Sequence, residues 1–238
     1  MYVVSTFYKF TNIADVAFLQ KSLKDCCSKN GINGTILIAQ EGVNATVVGK
    51  KESMIEFYNF LTTIPNFDDL FFQESFCEFM PFQKLKVKIK SEIVTFKAHD
   101  LDMSKTGQYI KPEDWDDFIN RDDVKVIDTR NYYEVAMGSF KNAINPNINK
   151  FTDLVKWSAE NLPKNDRDAP IAMFCTGGVR CEKSTAYLKK LGYTNVYHLR
   201  GGIINYLKSK KDEHNTWEGS CFIFDDRIMI DLDLMPTT

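Results

Sequence analysis

The spacing of apolar residues changes period several times along the first hundred positions, and each change marks an element. Val3 to Phe10 reads as a strand. Between Asp15 and Ser28, Val16, Leu19, Leu23 and the pair Cys26/Cys27 recur on one helical face, with the two cysteines as packing residues. Gly34 to Val48 reads as two short strands joined by Glu41-Gly42-Val43-Asn44. Met54, Ile55, Phe57, Tyr58 and Leu61 mark a second helix that Pro65 follows closely. Strands are predicted around Leu70–Met80 and Leu85–Phe96. The order is βαββαβ with some extra strand.

That order predicts a ferredoxin-like split βαβ unit in the first half. A polar stretch from His99 to Gln108, with Asp100, Asp102, Ser104, Lys105 and Gly107, reads as a linker. Pro112 then opens a helix, with Glu113 and Asp114 in its first turn as the helix dipole prefers. Beyond it the pattern predicts strand 124–128, a strand near 143–145, helix 151–161, strand 171–174, helix 182–191, strand 195–199 and helix 203–210. Short strands separated by helices imply a parallel sheet covered on both faces. The tail from Trp217 to Arg227 alternates like a strand but is too short for a domain, so it is predicted to pack back on the rest.

Composition narrows the function classes. A chain of 238 residues with 44% hydrophobic content is long enough for two ordinary domains. The net charge of −2 gives no global field that points to nucleic acid, so any basic surface is local. No apolar run approaches membrane-spanning length, and Met1 to Phe7 lacks the basic region and long apolar core of a signal peptide. Six irregularly spaced cysteines argue against a disulfide framework and against a CxxC zinc site. Together these predict a cytoplasmic protein of a reducing compartment, with no membrane partner and no metal.

The candidate chemistry lies in Cys175-Thr176-Gly177-Gly178-Val179-Arg180-Cys181. The apolar run Ile171-Ala172-Met173-Phe174 feeds into Cys175, two glycines follow, and a helix begins after Cys181. A strand, a glycine loop and a helix start make a cup of backbone N–H groups with the helix dipole aimed into it. A cysteine at the lip of that cup is favoured as thiolate by the N–H donors, the dipole and Arg180. Cys175 to Arg180 is C-x4-R, one residue shorter than the C-x5-R loop of cysteine phosphatases. The shorter ring suits a terminal sulfur better than a phosphate. Cys181 either resolves an oxidised Cys175 or packs the helix. Asp128 and Arg130 read as an ion pair that supports the loop.

Two segments of the first half stand out as well. Lys84, Lys86, Lys88 and Lys90 alternate with Leu85, Val87 and Ile89, which puts four ammonium groups on one face of a strand. That face is either a solvated edge that resists aggregation or a grip on a polyphosphate backbone. Gly31 to Thr46 surrounds a buried strand with small turn residues and reads as tight turns or a site.

Residues 106–210 resemble a rhodanese domain. Val124-Lys125-Val126-Ile127-Asp128-Thr129-Arg130 is similar to that family's early strand ending in Asp-x-Arg. Asn131-Tyr132-Tyr133-Glu134 and Gly138 to Asn145 resemble the stretch that follows, and His198 to Ile203 resembles its closing L-x-G-G turn. The whole order from about residue 3 to 230 resembles the bacterial TrhO-type tRNA uridine hydroxylases, a UPF0176 (YceA-like) family. Its parts are G-x-x-G-T-x-x-x-A-x-E-G-x-N-A-T, a lysine-rich strand, C-T-G-G-x-R-C-E-K and a W-E-G-x-C-F-x-F-D-x-R tail.

The resemblance implies two domains of mixed α+β and α/β class. Residues 1–98 would form a ferredoxin-like (acylphosphatase-like) RNA-binding domain and 99–111 a linker. Residues 112–212 would form a rhodanese domain with a doubly wound parallel sheet, and 213–238 a tail packed on the domains. It implies oxygen-dependent hydroxylation of C5 of the wobble uridine of tRNA, with no established metal or organic cofactor and molecular oxygen as co-substrate. By position, Cys175 becomes the active cysteine and Thr176, Gly177, Gly178, Val179, Arg180 and Cys181 its anion cradle. Lys84, Lys86, Lys88 and Lys90 fall in the family's basic strand, and the anticodon arm of tRNA is the implied partner, with a sulfur donor or reductant beside it. Many members continue into a cysteine-rich C-terminal segment, whereas this tail holds Cys221 alone. Two other readings stay open, a rhodanese-type sulfurtransferase and an RNA-binding module whose loop does no chemistry.

Overall fold

The computed structural model describes residues 1–210 and 215–237. They divide into two units, one of residues 1–95 with 224–227, the other of the described residues in 96–223 with 228–237.

The first unit runs β1 (Tyr2–Phe10), α1 (Val16–Lys29), β2 (Asn33–Ala39), β3 (Gly42–Gly49), α2 (Lys51–Thr62), β4 (Gln73–Cys77) and β5 (Leu85–Ile89). The sheet order is β4-β1-β3-β2-β5. Its first four strands pair antiparallel in the ferredoxin-like arrangement, and β5 adds a parallel edge beside β2. The alternation seen in the sequence explains the packing. Phe7, Ile36, Ile38, Val43 and Val47 share a core with Leu19, Leu23 and Cys27 of α1 and with Met54, Phe57 and Leu61 of α2. The Asp15 carboxylate caps α1 by accepting the N–H groups of Ala17 and Phe18 at 3.1 and 2.9 Å. The β2–β3 turn is tighter than the spacing predicted. Val43 and Asn44 pair with Ile38 and Leu37 inside the ladder, which leaves Gln40 and Glu41 at the turn.

Residues 224–227 of the tail also belong to this unit. Asp226 donates its N–H to the Pro81 carbonyl at 3.0 Å. Arg227, held by Asp225 at 2.6 Å, donates to Ser75 Oγ at 2.8 Å.

The second unit runs β6 (Gln108–Ile110), α3 (Pro112–Ile119), β7 (Lys125–Asp128), α4 (Tyr132–Val135), β8 (Gly138–Phe140), α5 (Asp153–Asn161), β9 (Ile171–Phe174), α6 (Val179–Lys190), β10 (Val196–Leu199), α7 (Gly202–Ser209), β11 (Trp217–Gly219), β12 (Cys221–Phe222) and β13 (Met229–Ile230). Its main sheet, β6-β10-β9-β7, is parallel throughout. All four residues of β9 are buried, as a strand covered on both faces requires. Trp115, Phe140, Phe174, Ile203, Tyr206 and Trp217 build the core on one side.

Three expectations change here. The stretch 99–111 is not a free linker, because Gln108–Ile110 pairs with β10 and Phe96, fully buried, stacks on Phe151 at 4.5 Å within this unit. No strand forms at 143–145. Ile144 makes a single bridge to Ile127, and the strand lies earlier, at Gly138–Phe140, where the tail strand β11 pairs with it. Trp217, Cys221, Ile223, Ile230 and Leu234 of the tail complete the core, so the tail packs back in pieces. The boundary read between residues 212 and 213 lies outside the described residues. No described helix is long and apolar enough to cross a membrane.

Candidate active site

Strand β9 delivers Cys175 to the carboxyl edge of the parallel sheet, between β10 and β7. Open α/β sheets place their ligands at that edge. Gly178 is the N-cap of α6 at φ +102°, a conformation costly for any residue with a Cβ. The helix therefore starts at Val179, three residues earlier than the spacing predicted, and takes Arg180 and Cys181 into its first turn. The Gly178 N–H donates to Cys175 Sγ at 3.2 Å. The Cys181 N–H lies in the first turn of α6, where it donates to the Gly178 carbonyl at 3.0 Å.

Burial alone pushes the Cys175 pKa up. The Cys181 thiol, the Arg180 charge and the N–H groups of Cys181 and Gly178 outweigh it and bring the pKa down from 9.0 to about 6. Burial pushes the Cys181 thiol well above its ordinary value, and its hydrogen bond to an ionised Cys175 adds to the rise. At neutral pH one sulfur of the pair is a thiolate and the other a thiol.

Arg180 does not point its fork at the sulfur. Its Nη1 and Nη2 donate to Glu134 Oε2 and Oε1 at 2.6 and 2.8 Å, and Nη2 also reaches Thr176 Oγ1 at 3.1 Å. The Glu134 side chain is completely buried. Burial raises its pKa, but the Arg180 charge and hydrogen bonds win and hold it below the ordinary carboxyl range. Glu134 Oε2 also accepts the Asn131 N–H at 3.1 Å, which fixes the start of α4. The loop arginine thus acts on Cys175 through its field while Glu134 sets its place.

The loop is braced from two further sides. Ile203 and Ile204, at the start of α7, donate their N–H groups to the carbonyls of Cys175 and Thr176 at 3.0 and 3.1 Å. Those bonds tie the loop carbonyls to the first turn of α7. Gly202 permits the approach, since at φ +66° an added Cβ would lie 2.4 Å from the Cys175 oxygen. On the other side, Thr129 N–H and Oγ1 both bond the Phe174 carbonyl, and Oγ1 lies 3.7 Å from Cys181 Sγ. Asp128 and Arg130, each with a fully buried side chain, form a two-point pair at 2.9 and 2.6 Å. Arg130 also reaches the Gly138 carbonyl at 2.6 Å and lies over the Trp217 ring. Asp128 also accepts from Ser139 Oγ at 2.8 Å, so the pair ties the end of β7 to β8 and to the tail.

One expectation fails in detail. Cys175 is not at the lip of the cup, for the residue has no exposed surface. Gly177 and Val179 are the partly exposed residues of the loop. Chemistry at the sulfur requires whatever covers it to give way. Among the described residues, no cluster of His, Cys, Asp and Glu could hold a metal ion.

In the first unit, Lys84, Lys86, Lys88 and Lys90 are all exposed, while Val87 between them joins the core. They run along the edge strand β5. By register, Lys86 continues a row through Thr35, Thr46 and Thr6, and Lys88 a row through Leu37, Asn44 and Tyr8. Along these two rows the sheet face opposite the helices is mostly polar and ends in ammonium groups, while further along the same face Val4, Val48 and Cys77 form a small buried cluster.

Residues 2–93 match the family model described as UPF0176 acylphosphatase like domain, and residues 111–209 match the rhodanese-like domain. The chain is 48% identical over 239 residues to a tRNA uridine(34) hydroxylase of Ehrlichia chaffeensis, covering 99% of this chain and 86% of that protein. It is 49% identical over 238 residues to the protein of that name from Ehrlichia ruminantium, covering 99% and 87%. For the protein of that name from the Wolbachia of Culex pipiens the figures are 48% over 236 residues, covering 99% and 83%. The chain belongs to the tRNA uridine(34) hydroxylase family.

Within this hydroxylase family member, reasoning from sequence found the sulfur, the glycines and the arginine, and it missed three residues that hold them. Glu134 stood in a recognisable motif with no role attached. Its spacing from Asn131 is that of a helix N-cap and N3 residue, the one signal available. Thr129 carries no signal of its own between Asp128 and Arg130, and Gly202 reads from sequence only as part of a turn.

Proposed function

We propose that this protein hydroxylates C5 of uridine 34 in the anticodon arm of tRNA, in the cytoplasm, with Cys175 as its reacting group and molecular oxygen as co-substrate. The observation that carries the reading is a cysteine whose pKa is brought to about 6 by hydrogen bonds and a neighbouring guanidinium, in a chain of the hydroxylase family. A base in a single-stranded loop is presented to the sulfur without the cost of opening a duplex.

The chemistry follows from a thiolate beside a uracil. Addition of Cys175 Sγ to C6 places the displaced electron pair at C5. That carbanion reduces oxygen and takes it up as a C5 hydroperoxide. Two electrons and two protons from an external thiol reductant cleave the O–O bond, leaving C5–OH and releasing water. Loss of the C5 proton then expels the Cys175 thiolate and restores the double bond. Lys84, Lys86, Lys88 and Lys90 supply the phosphate contacts, which position the RNA without reading its bases.

Nucleosides from the tRNA of cells lacking the gene should show no 5-hydroxyuridine derivatives. Wild type restores them and Cys175→Ala does not. Unchanged modification in the deletion strain, or restoration by Cys175→Ala, contradicts the proposal. The rhodanese-like match over 111–209 favours a second reading, sulfur transfer through a Cys175 persulfide. Turnover of thiosulfate and cyanide, with tRNA modification unaffected by the deletion, is the result that selects it.

A further inference from the structure

Three exposed residues at the carboxyl edge of the parallel sheet take no part in holding the cysteine loop. Arg200 directly follows β10, and its N–H donates to the Ile110 carbonyl at 2.9 Å. Two residues further on, Gly202 lies against Cys175, since an added Cβ there would meet the Cys175 carbonyl oxygen at 2.4 Å. Two residues of chain span at most about 7 Å, so Arg200 stands next to the loop. Lys111 follows β6 on the neighbouring strand. Both cations are exposed, and among the described residues neither makes an ion pair. Tyr109, on β6, is in register with His198, two positions before Arg200. Its ring stacks on the buried His198 imidazole at 4.4 Å, and its hydroxyl donates to Glu182 Oε1, in the first turn of α6, at 2.7 Å. The residue is nevertheless 52% exposed. A ring fixed at one face and at its hydroxyl gives up little freedom when another flat group stacks on what remains open.

We propose that Tyr109 and Arg200, with Lys111 beside them, are positioning residues for unpaired RNA. The Tyr109 ring stacks on a base next to the one that meets Cys175, and the two cations take the adjoining phosphates. Aromatic faces beside cations hold single strands in this way without reading their sequence. A base inside a duplex has both faces covered by its neighbours and offers neither to the ring. Phosphate contacts alone do not tell paired from unpaired RNA, whereas a stacking ring does. The surface thus selects a looped-out nucleotide close to the sulfur. The proposal rests on the preceding reading only in taking tRNA as the partner.

The test measures binding of the purified full chain to two fluorescent RNAs, an anticodon stem-loop with uridine at position 34 and a fully paired duplex of equal length. Tyr109→Leu should weaken stem-loop binding by roughly 5- to 100-fold and leave duplex binding unchanged. Tyr109→Phe, which keeps the ring and loses only the bond to Glu182, should bind the stem-loop nearly as wild type does. Arg200→Gln should lower the slope of log K against log salt for the stem-loop by about 0.7. The pH profile of Cys175 alkylation should be the same in Tyr109→Phe and Arg200→Gln as in wild type, which shows an intact loop. Equal weakening by Tyr109→Phe and Tyr109→Leu, or an equal loss on the duplex, overturns the stacking role. An unaltered salt slope in the exposed Arg200→Gln variant overturns the phosphate role even if Tyr109→Leu fails to fold. These outcomes leave the chemistry of Cys175 untouched, while loss of the hydroxylation reading in the nucleoside assay leaves RNA binding by this surface measurable.

Discussion

Arg180 and Glu134 meet as a buried two-point ion pair, with N–O distances of 2.6 and 2.8 Å, across 46 residues of sequence. The pair turns the loop arginine into a fixed source of positive field beside Cys175, because the guanidinium is held by Glu134 rather than by the ligand.

Breaking that pair leaves a buried charge uncompensated. Glu134→Gln should destabilise the protein by about 3–5 kcal/mol, read from urea unfolding at neutral pH. The folded-state pKa of Glu134 lies below the ordinary 4.5, so its contribution is present above that value and disappears as pH falls through the folded-state pKa. The stability gap between wild type and Glu134→Gln should therefore be constant near neutrality and shrink in acid. A gap that widens in acid contradicts the assignment.

Gly202→Ala tests the brace on the loop. Holding alanine at φ +66° costs about 1–3 kcal/mol, and its Cβ would lie 2.4 Å from the Cys175 carbonyl oxygen. The loop must shift to admit it, which disturbs the amides around the sulfur. Lower unfolding stability together with a Cys175 pKa raised towards 9.0 is expected. An unchanged pKa would mean that the start of α7 does not set the loop.

The lysine edge makes a salt-dependent prediction. Replacing Lys84, Lys86, Lys88 and Lys90 by glutamine removes up to four phosphate contacts, so the slope of log K against log salt for tRNA should fall by up to about 3. Thermal stability should hardly move, since all four side chains are exposed. Binding with an unaltered slope would leave the strand as a solvated edge.

What could be read from sequence, and what could not, has a physical pattern. The strand 171–174 was legible because a continuous apolar run ends at a cysteine and two glycines. The βαββαβ order was legible because each element is long enough to show its period. Three-residue β6 and four-residue α4 are too short to repeat their periods, so Gln108–Ile110 reads as linker and Glu134 has no element to sit on. The start of α6 was placed late because Val179-Arg180-Cys181 follows glycines and looks like loop. Only the positive φ of Gly178 reveals that the helix has begun, and with it that Cys181 lies in the first helical turn. The Arg180–Glu134 contact is tertiary, and no local pattern in the chain announces it. The depth of Cys175 is likewise a product of packing.

The most direct measurement is the rate at which a small alkylating reagent modifies Cys175, followed by peptide mass as pH is varied. Only the thiolate reacts. Because the pKa is lowered, the rate should rise through a midpoint near pH 6 and be flat through neutrality. A rate that climbs steadily to a midpoint near 9.0, the ordinary thiol value, would show that the converging amides and guanidinium do not hold this sulfur ionised.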